Sequence, residues 1–184
     1  MLSTPPAIQT QFPLTEALIQ RFAPDLGPDL TAYRNHVYRV LNFYQALAND
    51  GQEAPRAVQI AAAFHDIGIW SDHNFDYLAP SVQRAHAYLA EVDSADLRAQ
   101  VQALIEQHHK IRPYTGPHAN TVELFRRADW ADVSLGWLRS GLPAQWVQAV
   151  RQALPNAGLH RRLVQLTARQ MLKTPWQPLP MMRW

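Results

Sequence analysis

The 184-residue sequence predicts an all-α fold, a compact single-domain helical bundle, on three observations. Apolar residues recur three and four apart along most of the chain, which is the spacing of one helix face. No segment shows the strict two-residue alternation of a half-buried strand. The length suits one domain, and 47% hydrophobic against 17% charged residues supplies a sizeable core and too little charge for a disordered chain.

The elements follow in order. The Pro-, Thr- and Gln-rich stretch up to Pro13 reads as an arm, and LTEALIQRFA over 14–23 as a short amphipathic helix. PDLGPDL, with two Pro and one Gly, is a loop. Thr31 caps a helix running to about Asn49, and DGQEA turns the chain. Pro55 stands in the first turn of an Ala-rich helix that runs to about Ile67 and stops at Gly68. Residues 69–79 are expected to be irregular. Pro80 opens a helix to about Val92, and Ser94 caps the next, to about His109. A loop over 110–118 leads to a helix over 119–138, which SGLP breaks. Helices over 143–154 and 159–173 follow, before a tail, TPWQPLPMMRW, too rich in Pro to be helical throughout.

Composition narrows the chemistry. A formal net charge of +2 without a Lys/Arg-rich run argues against a nucleic-acid polymer as partner. Cysteine is absent, so disulfides, thiolate nucleophiles and Cys-held zinc are excluded, and any metal must be held by His, Asp or Glu. No apolar run approaches the roughly 20 residues of a membrane span. The first residues lack the basic and apolar regions of a signal peptide, so a cytoplasmic location is the expectation.

The strongest signal is a set of ionisable residues on core-facing stripes. His36 lies on the line Tyr33, His36, Val40, Phe43. Ala57, Ile60, Ala61 and Phe64 lead to His65 and Asp66. His86 falls between Val82 and Leu89; His108 follows Val101 and Leu104, with His109 one turn after Ile105. Asp129 follows Val122 and Phe125, and Asp132 comes three residues later. Unpaired buried carboxylates are costly, so five helices sharing this feature call for a common partner. A divalent transition metal (Fe, Mn, Zn, Ni or Co) suits imidazole and carboxylate ligands.

The ordered segments NHVYRVLNFYQAL, AAAFHDIGIW, LIEQHHK and FRRADWADV resemble those of the HD domain of metal-dependent phosphohydrolases. The likeness covers about 31–138, leaving C-terminal helices and a Pro-rich tail over 139–184. It implies a bundle of the HD-domain type with first-metal ligands His36, His65, Asp66 and Asp129. His86, His108 and His109 are the candidates for a second metal, so that one or two ions are held per chain. The Lys that follows the HD pair in cyclic-dinucleotide phosphodiesterases is missing before Lys110, and so is their GYP motif, since RPYTGP is not the same.

The resemblance implies hydrolysis of a small phosphoester, a nucleotide among the candidates, by metal-activated water, with His65 and Asp66 at the reacting centre. Asp132, grouped with His65 and Asp66 among the catalytic residues, is read either as holding a ligand His through its ring N–H or as a surface carboxylate. Arg39, Lys110 and Arg126 are candidate phosphate binders, and His73 a candidate at the site's mouth. Trp70, Tyr77, Tyr114 and Trp130 are expected either to stack on substrate or to fill the core. Trp176, Met181, Met182 and Trp184 are expected to dock on the domain or on a second copy in a homodimer; no membrane partner is expected. Two other readings stand beside hydrolysis: a di-iron oxygenase or small-molecule hydratase/lyase on the same scaffold, and a non-catalytic sensor.

Overall fold

The computed structural model describes residues 5–176 and 179–182; residues 1–4 of the arm and Trp184 of the tail lie outside them. Eight helices of two turns or more form the bundle: α1 Pro13–Gln20, α3 Leu30–Ala48, α4 Arg56–Phe64, α6 Leu78–Glu91, α7 Arg98–Gln107, α8 Ala119–Val133, α9 Ala144–Ala153 and α10 Leu159–Lys173. Two single-turn helices, α2 Ala23–Leu26 and α5 Gly68–Ser71, connect them, and no strand occurs among the described residues.

Helix α3 is the axis of the molecule. It is buried on nearly every side and packs most extensively against α8. No Gly or Pro interrupts its 19 residues, and it ends where Asn49 takes a left-handed φ of 52°. A helix buried all round must satisfy its polar side chains internally. Asn35 Nδ2 donates to the Pro155 carbonyl, and Asn42 exchanges two hydrogen bonds with the Gln9 backbone, which fixes the N-terminal arm. Helices α4, α6 and α7 pack on one another, and α7 closes on α8. Tyr33, Phe43, Phe64 and Phe125 fill the space between them.

Several segments differ from expectation, among them the end of α4 at Phe64 and the start of α6 at Leu78. PDLGPDL is not a plain loop but α2 followed by a 3-10 turn at Gly27–Asp29. Helix α3 starts at Leu30 after Asp29, so Thr31 lies inside it and does not cap it. Ser94 does not cap α7: a 3-10 turn over Ala95–Leu97 intervenes, and the Ser94 hydroxyl bonds the Val92 carbonyl instead. Helix α8 stops at Val133 rather than Leu138, because Leu135 takes a φ of 57° and Gly136 N–H donates back to the Ala131 carbonyl at 2.9 Å. With Leu135 N–H donating to the Asp132 carbonyl, this is a Schellman closure. Part of the segment expected to be irregular after Ile67 is also helical, as α5.

Candidate metal centre

Each ligand candidate is placed by a helix interior or by a helix end. His36 is on α3, and Asp129 and Asp132 are one turn apart on α8. His65 and Asp66 follow the last residue of α4, and His108 and His109 follow the last residue of α7. Adjacent residues inside a helix point about 100° apart. His65 and His108 keep right-handed helical angles as the last turn tightens to i→i−3 hydrogen bonds, Ile67 N–H to the Phe64 carbonyl and Lys110 N–H to the Gln107 carbonyl, and both members of each pair reach one region.

Two groups of potential ligands result, His36 with His65 and Asp66, and Asp66 with His108 and His109. Asp66 belongs to both. Its Oδ2 is 3.6 Å from His36 Nε2 and 3.4 Å from His65 Nε2, while Oδ1 is 3.3 Å from His108 Nε2. Asp129 spans the groups in the same way. Its Oδ1 is 3.6 Å from His36 Nε2 and 3.8 Å from His65 Nε2, and its Oδ2 is 3.7 Å from His109 Nδ1.

The far side of three imidazole rings is already engaged. His36 Nδ1 lies 2.7 Å from Asp132 Oδ2, His65 Nδ1 lies 2.8 Å from the Ala62 carbonyl, and His108 Nδ1 lies 2.6 Å from the Ile105 carbonyl. Those acceptors fix the proton on Nδ1 and leave the Nε2 lone pairs facing inward. Asp66 Oδ1, His108 Nε2 and both Asp129 oxygens are buried with no hydrogen-bond partner. His36 Nε2 and His65 Nε2 are 3.0 Å apart. Two nitrogens about 2.1 Å from one ion at a right angle would stand about 3.0 Å apart. Buried inward lone pairs, orphaned carboxylate oxygens and this spacing all fit a bound divalent metal.

Electrostatics divide the rings: His65 and His109 are held neutral, while His36 without metal binds a second proton that a cation would displace. Burial lowers the His36 pKa, but hydrogen bonds to Asp132 and Asp66 outweigh it and raise it to about 10. Burial lowers His65 to about 3, with the charges of His108 and His36 adding, so it is a neutral ligand at neutral pH. Burial likewise holds His109 well below its ordinary value. Burial and then the charges of Asp66 and Asp129 push Tyr77 well up, so its hydroxyl stays protonated.

Other expected site residues fall elsewhere. Arg39 is not among the residues that line the cavity over the centre. It is fully buried and holds Asp132 through Nε and Nη2, with Nη1 on the Leu154 carbonyl. Asp132 is fully buried as well, with Oδ2 2.7 Å from His36 Nδ1, and it is not among the residues that line the cavity. Arg126 is occupied by a two-point pair with Glu123 and by the Lys110 carbonyl. Lys110 and exposed His73 do not line the cavity over the centre. His86 joins neither ligand group; it is half-buried at the edge of α6's packed face.

That cavity, of about 250 Å³, has His36, Asp66, His109 and Asp129 in its wall. Its other walls include Phe75 and Tyr77, Trp130 and Val133 of α8, Leu163 of α10, and Met181 of the tail. The tail residues Met181 and Met182 thus dock on the same domain, whereas Trp176 is exposed. Trp130 and Tyr77 line the cavity, while Trp70 is core and bonds Asp29. Two contributors were not expected from sequence: Tyr77 as a partner of His109, its hydroxyl 2.5 Å from Nε2, and Arg151, 3.4 Å from Asp132.

The family model named HD domain matches residues 33–134, which contain every ligand candidate in both groups. The chain belongs to the HD domain family. Its members form the superfamily of HD-domain metal-dependent phosphohydrolases, and the all-α bundle is that of an HD domain. Neither the comparison with curated proteins nor that with solved structures gives a match. No helix among the described residues is long and apolar enough to cross a membrane.

Proposed function

We propose that this HD domain protein is a metal-dependent phosphohydrolase that cleaves a small phosphoester. The observation that carries the reading is the set of inward-facing, unpartnered ligand atoms on Asp66, Asp129 and His108 in a centre that opens into a cavity. The residues fit two ions, with His36 and His65 on one side, His108 and His109 on the other, and Asp66 and Asp129 between. Bound there, divalent metal supplies a water of pKa near 7 and polarises a phosphoryl oxygen.

The chain's own groups do the rest. Asp132, fixed by Arg39 and Arg151, holds the His36 ring with Nε2 inward. The Ala62 and Ile105 carbonyls do the same for His65 and His108. Tyr77, kept protonated and lining the cavity, offers its hydroxyl as hydrogen-bond donor to the leaving oxygen. In the net reaction the water oxygen bonds to phosphorus, the P–O bond to the organic group breaks, and that group departs as an alcohol carrying a proton from the water.

A second reading is a dinuclear oxygenase, favoured by the way both Asp66 and Asp129 turn one oxygen to each His group. Elemental analysis of protein purified without added metal, a phosphoester panel and an oxygen electrode separate the two. Phosphate release that is lost in Asp66→Ala supports hydrolysis. Two irons with substrate-dependent oxygen uptake and no phosphate release support the oxygenase.

A further inference from the structure

We propose that the cavity over the metal centre selects a substrate whose organic part is small, uncharged and apolar and carries one hydrogen-bond acceptor, in place of a nucleotide. The proposal rests on the phosphoester reading for the reacting end only; the recognition of the organic part stands on the walls themselves.

Size comes first. The cavity holds about 250 Å³, below the range of about 300–1,000 Å³ typical of drug-sized ligands. Its walls away from the ligand atoms are almost wholly apolar: Phe75, Val133 and Leu163, then Leu179, Met181 and Met182 from the tail. Met side chains adapt to irregular apolar shapes, which suits a wall that receives an alkyl or small aromatic group.

Charge comes second. The described lining residues include two carboxylates, Asp66 and Asp129, and no Lys or Arg. Arg39 and Arg126, which the sequence offers nearby, are spent on Asp132 and Glu123. Among the described lining residues none carries a positive side chain to pair with the further charges of a di- or triphosphate, and beyond the metal centre only the Tyr77 and Thr167 hydroxyls and the Trp130 indole offer polar contacts, too few for the edges of a base and ribose. The single phosphoryl group has the metal centre as its counter-charge.

The third observation is a donor without an acceptor. Trp130 lines the cavity, and its indole Nε1 is buried with no hydrogen-bond partner. Buried donors of this kind are rare because each costs free energy until it is paired. An acceptor on the substrate, such as a carbonyl or ether oxygen, supplies that partner.

The test is calorimetric titration of the metal-loaded protein with methyl-, butyl- and hexylphosphonic acid, with 3-oxobutylphosphonic acid and with AMP. Phosphonates are not hydrolysed, so binding is read apart from turnover. Each methylene is expected to tighten Kd about fourfold until the cavity is full. The 3-oxo compound is expected to bind more tightly than the butyl compound to the wild type and equally to Trp130→Phe. AMP is expected to bind more weakly than butylphosphonic acid. A flat series, AMP as the tightest ligand, no measurable binding of any phosphonate, or a 3-oxo preference that survives in Trp130→Phe overturns the proposal. If the expected order of binding holds while the matching phosphate esters release no phosphate, the apolar selection stands and the phosphohydrolase reading fails.

Discussion

Asp129 and Asp132 are one turn apart on the same buried face of α8, yet their surroundings are opposite. Burial pushes the Asp132 carboxyl up, but hydrogen bonds from His36 and Arg39 outweigh it and hold the group well below the usual carboxylate range. Replacing it by Asn leaves the buried Arg39 charge without its counter-ion. Asp132→Asn is therefore expected to cost about 3–5 kcal/mol of stability and to weaken metal binding by about 10- to 100-fold. Urea denaturation and a metal titration measure the two effects separately. Asp129 is the reverse case: burial raises its pKa, and Asp66 and Asp132 nearby add to the rise against the opposing charges of His108 and His36. Without metal, folding is hindered by its charge, and more so as pH climbs above the unfolded carboxylate range. Asp129→Asn is thus expected to melt at or above the wild type in EDTA while losing metal, and a variant that melts well below would contradict this electrostatic account. His36 gives the pH dependence. Its pKa in the metal-free fold, about 10, is above the ordinary 6.5, so its contribution to stability is complete below about pH 6.5 and is lost as pH rises towards 10. Metal takes the place of that proton. Apparent metal affinity should therefore rise with pH, by up to about tenfold per unit for each proton displaced. Calorimetry at neutral pH in buffers of different ionisation enthalpy should register the released proton.

At the scale of the element, the short turn between α4 and α6 decides whether Tyr77 reaches the centre. Gly68 opens α5 and donates its N–H to the Ser81 hydroxyl, and a Cβ on it would stand 2.8 Å from the Tyr77 carbonyl oxygen. Gly68→Ala must move backbone, and strain of this kind typically costs about 1–3 kcal/mol. The start of α6 would be displaced along with Tyr77 and its bond to His109. The expected result is a lower melting temperature together with a raised KM. An unchanged melt would show that the contact relaxes freely. This part of the chain also shows what the sequence made legible. Helical spacing placed His36, Asp66, His108 and Asp129 on buried faces, because periodicity reports burial directly. It also offered His86, on a stripe with Val82 and Leu89, whose Nε2 is buried without a partner but which joins neither ligand group. The Schellman turn at Leu135 was hidden because a Leu, not a Gly, takes the left-handed position there. The roles of Tyr77 and Arg151, and the cavity walls from α10 and the tail, depend on contacts between segments remote in sequence. The same holds for Arg39 and Arg126: spacing put them near the centre but could not show that Asp132 and Glu123 would claim them.

For the whole molecule, the centre is where four helices meet: α3, the end of α4, the end of α7 and α8. Hydrophobic packing joins these helices through one shared core. The ligand atoms are a different matter. Metal-free, the buried centre holds two carboxylates beside rings whose inward nitrogens compete for protons, and at least four of its buried polar atoms have no partner. Such groups weaken the packing around them unless a cation is present. Metal removal should therefore loosen the ends of α4 and α7 first, because there the ligands stand just past the last helical residue, while α3, buried along its length, keeps its protection. Ligand linkage sets the scale: metal at about 1,000 times its Kd adds about 4 kcal/mol to global stability. Hydrogen exchange with and without EDTA should show faster exchange around residues 64–68 and 105–110 and little change in the middle of α3. Uniform acceleration across the bundle would mean instead that metal acts on global unfolding alone, and that the two helix ends are held by packing and not by their ligands.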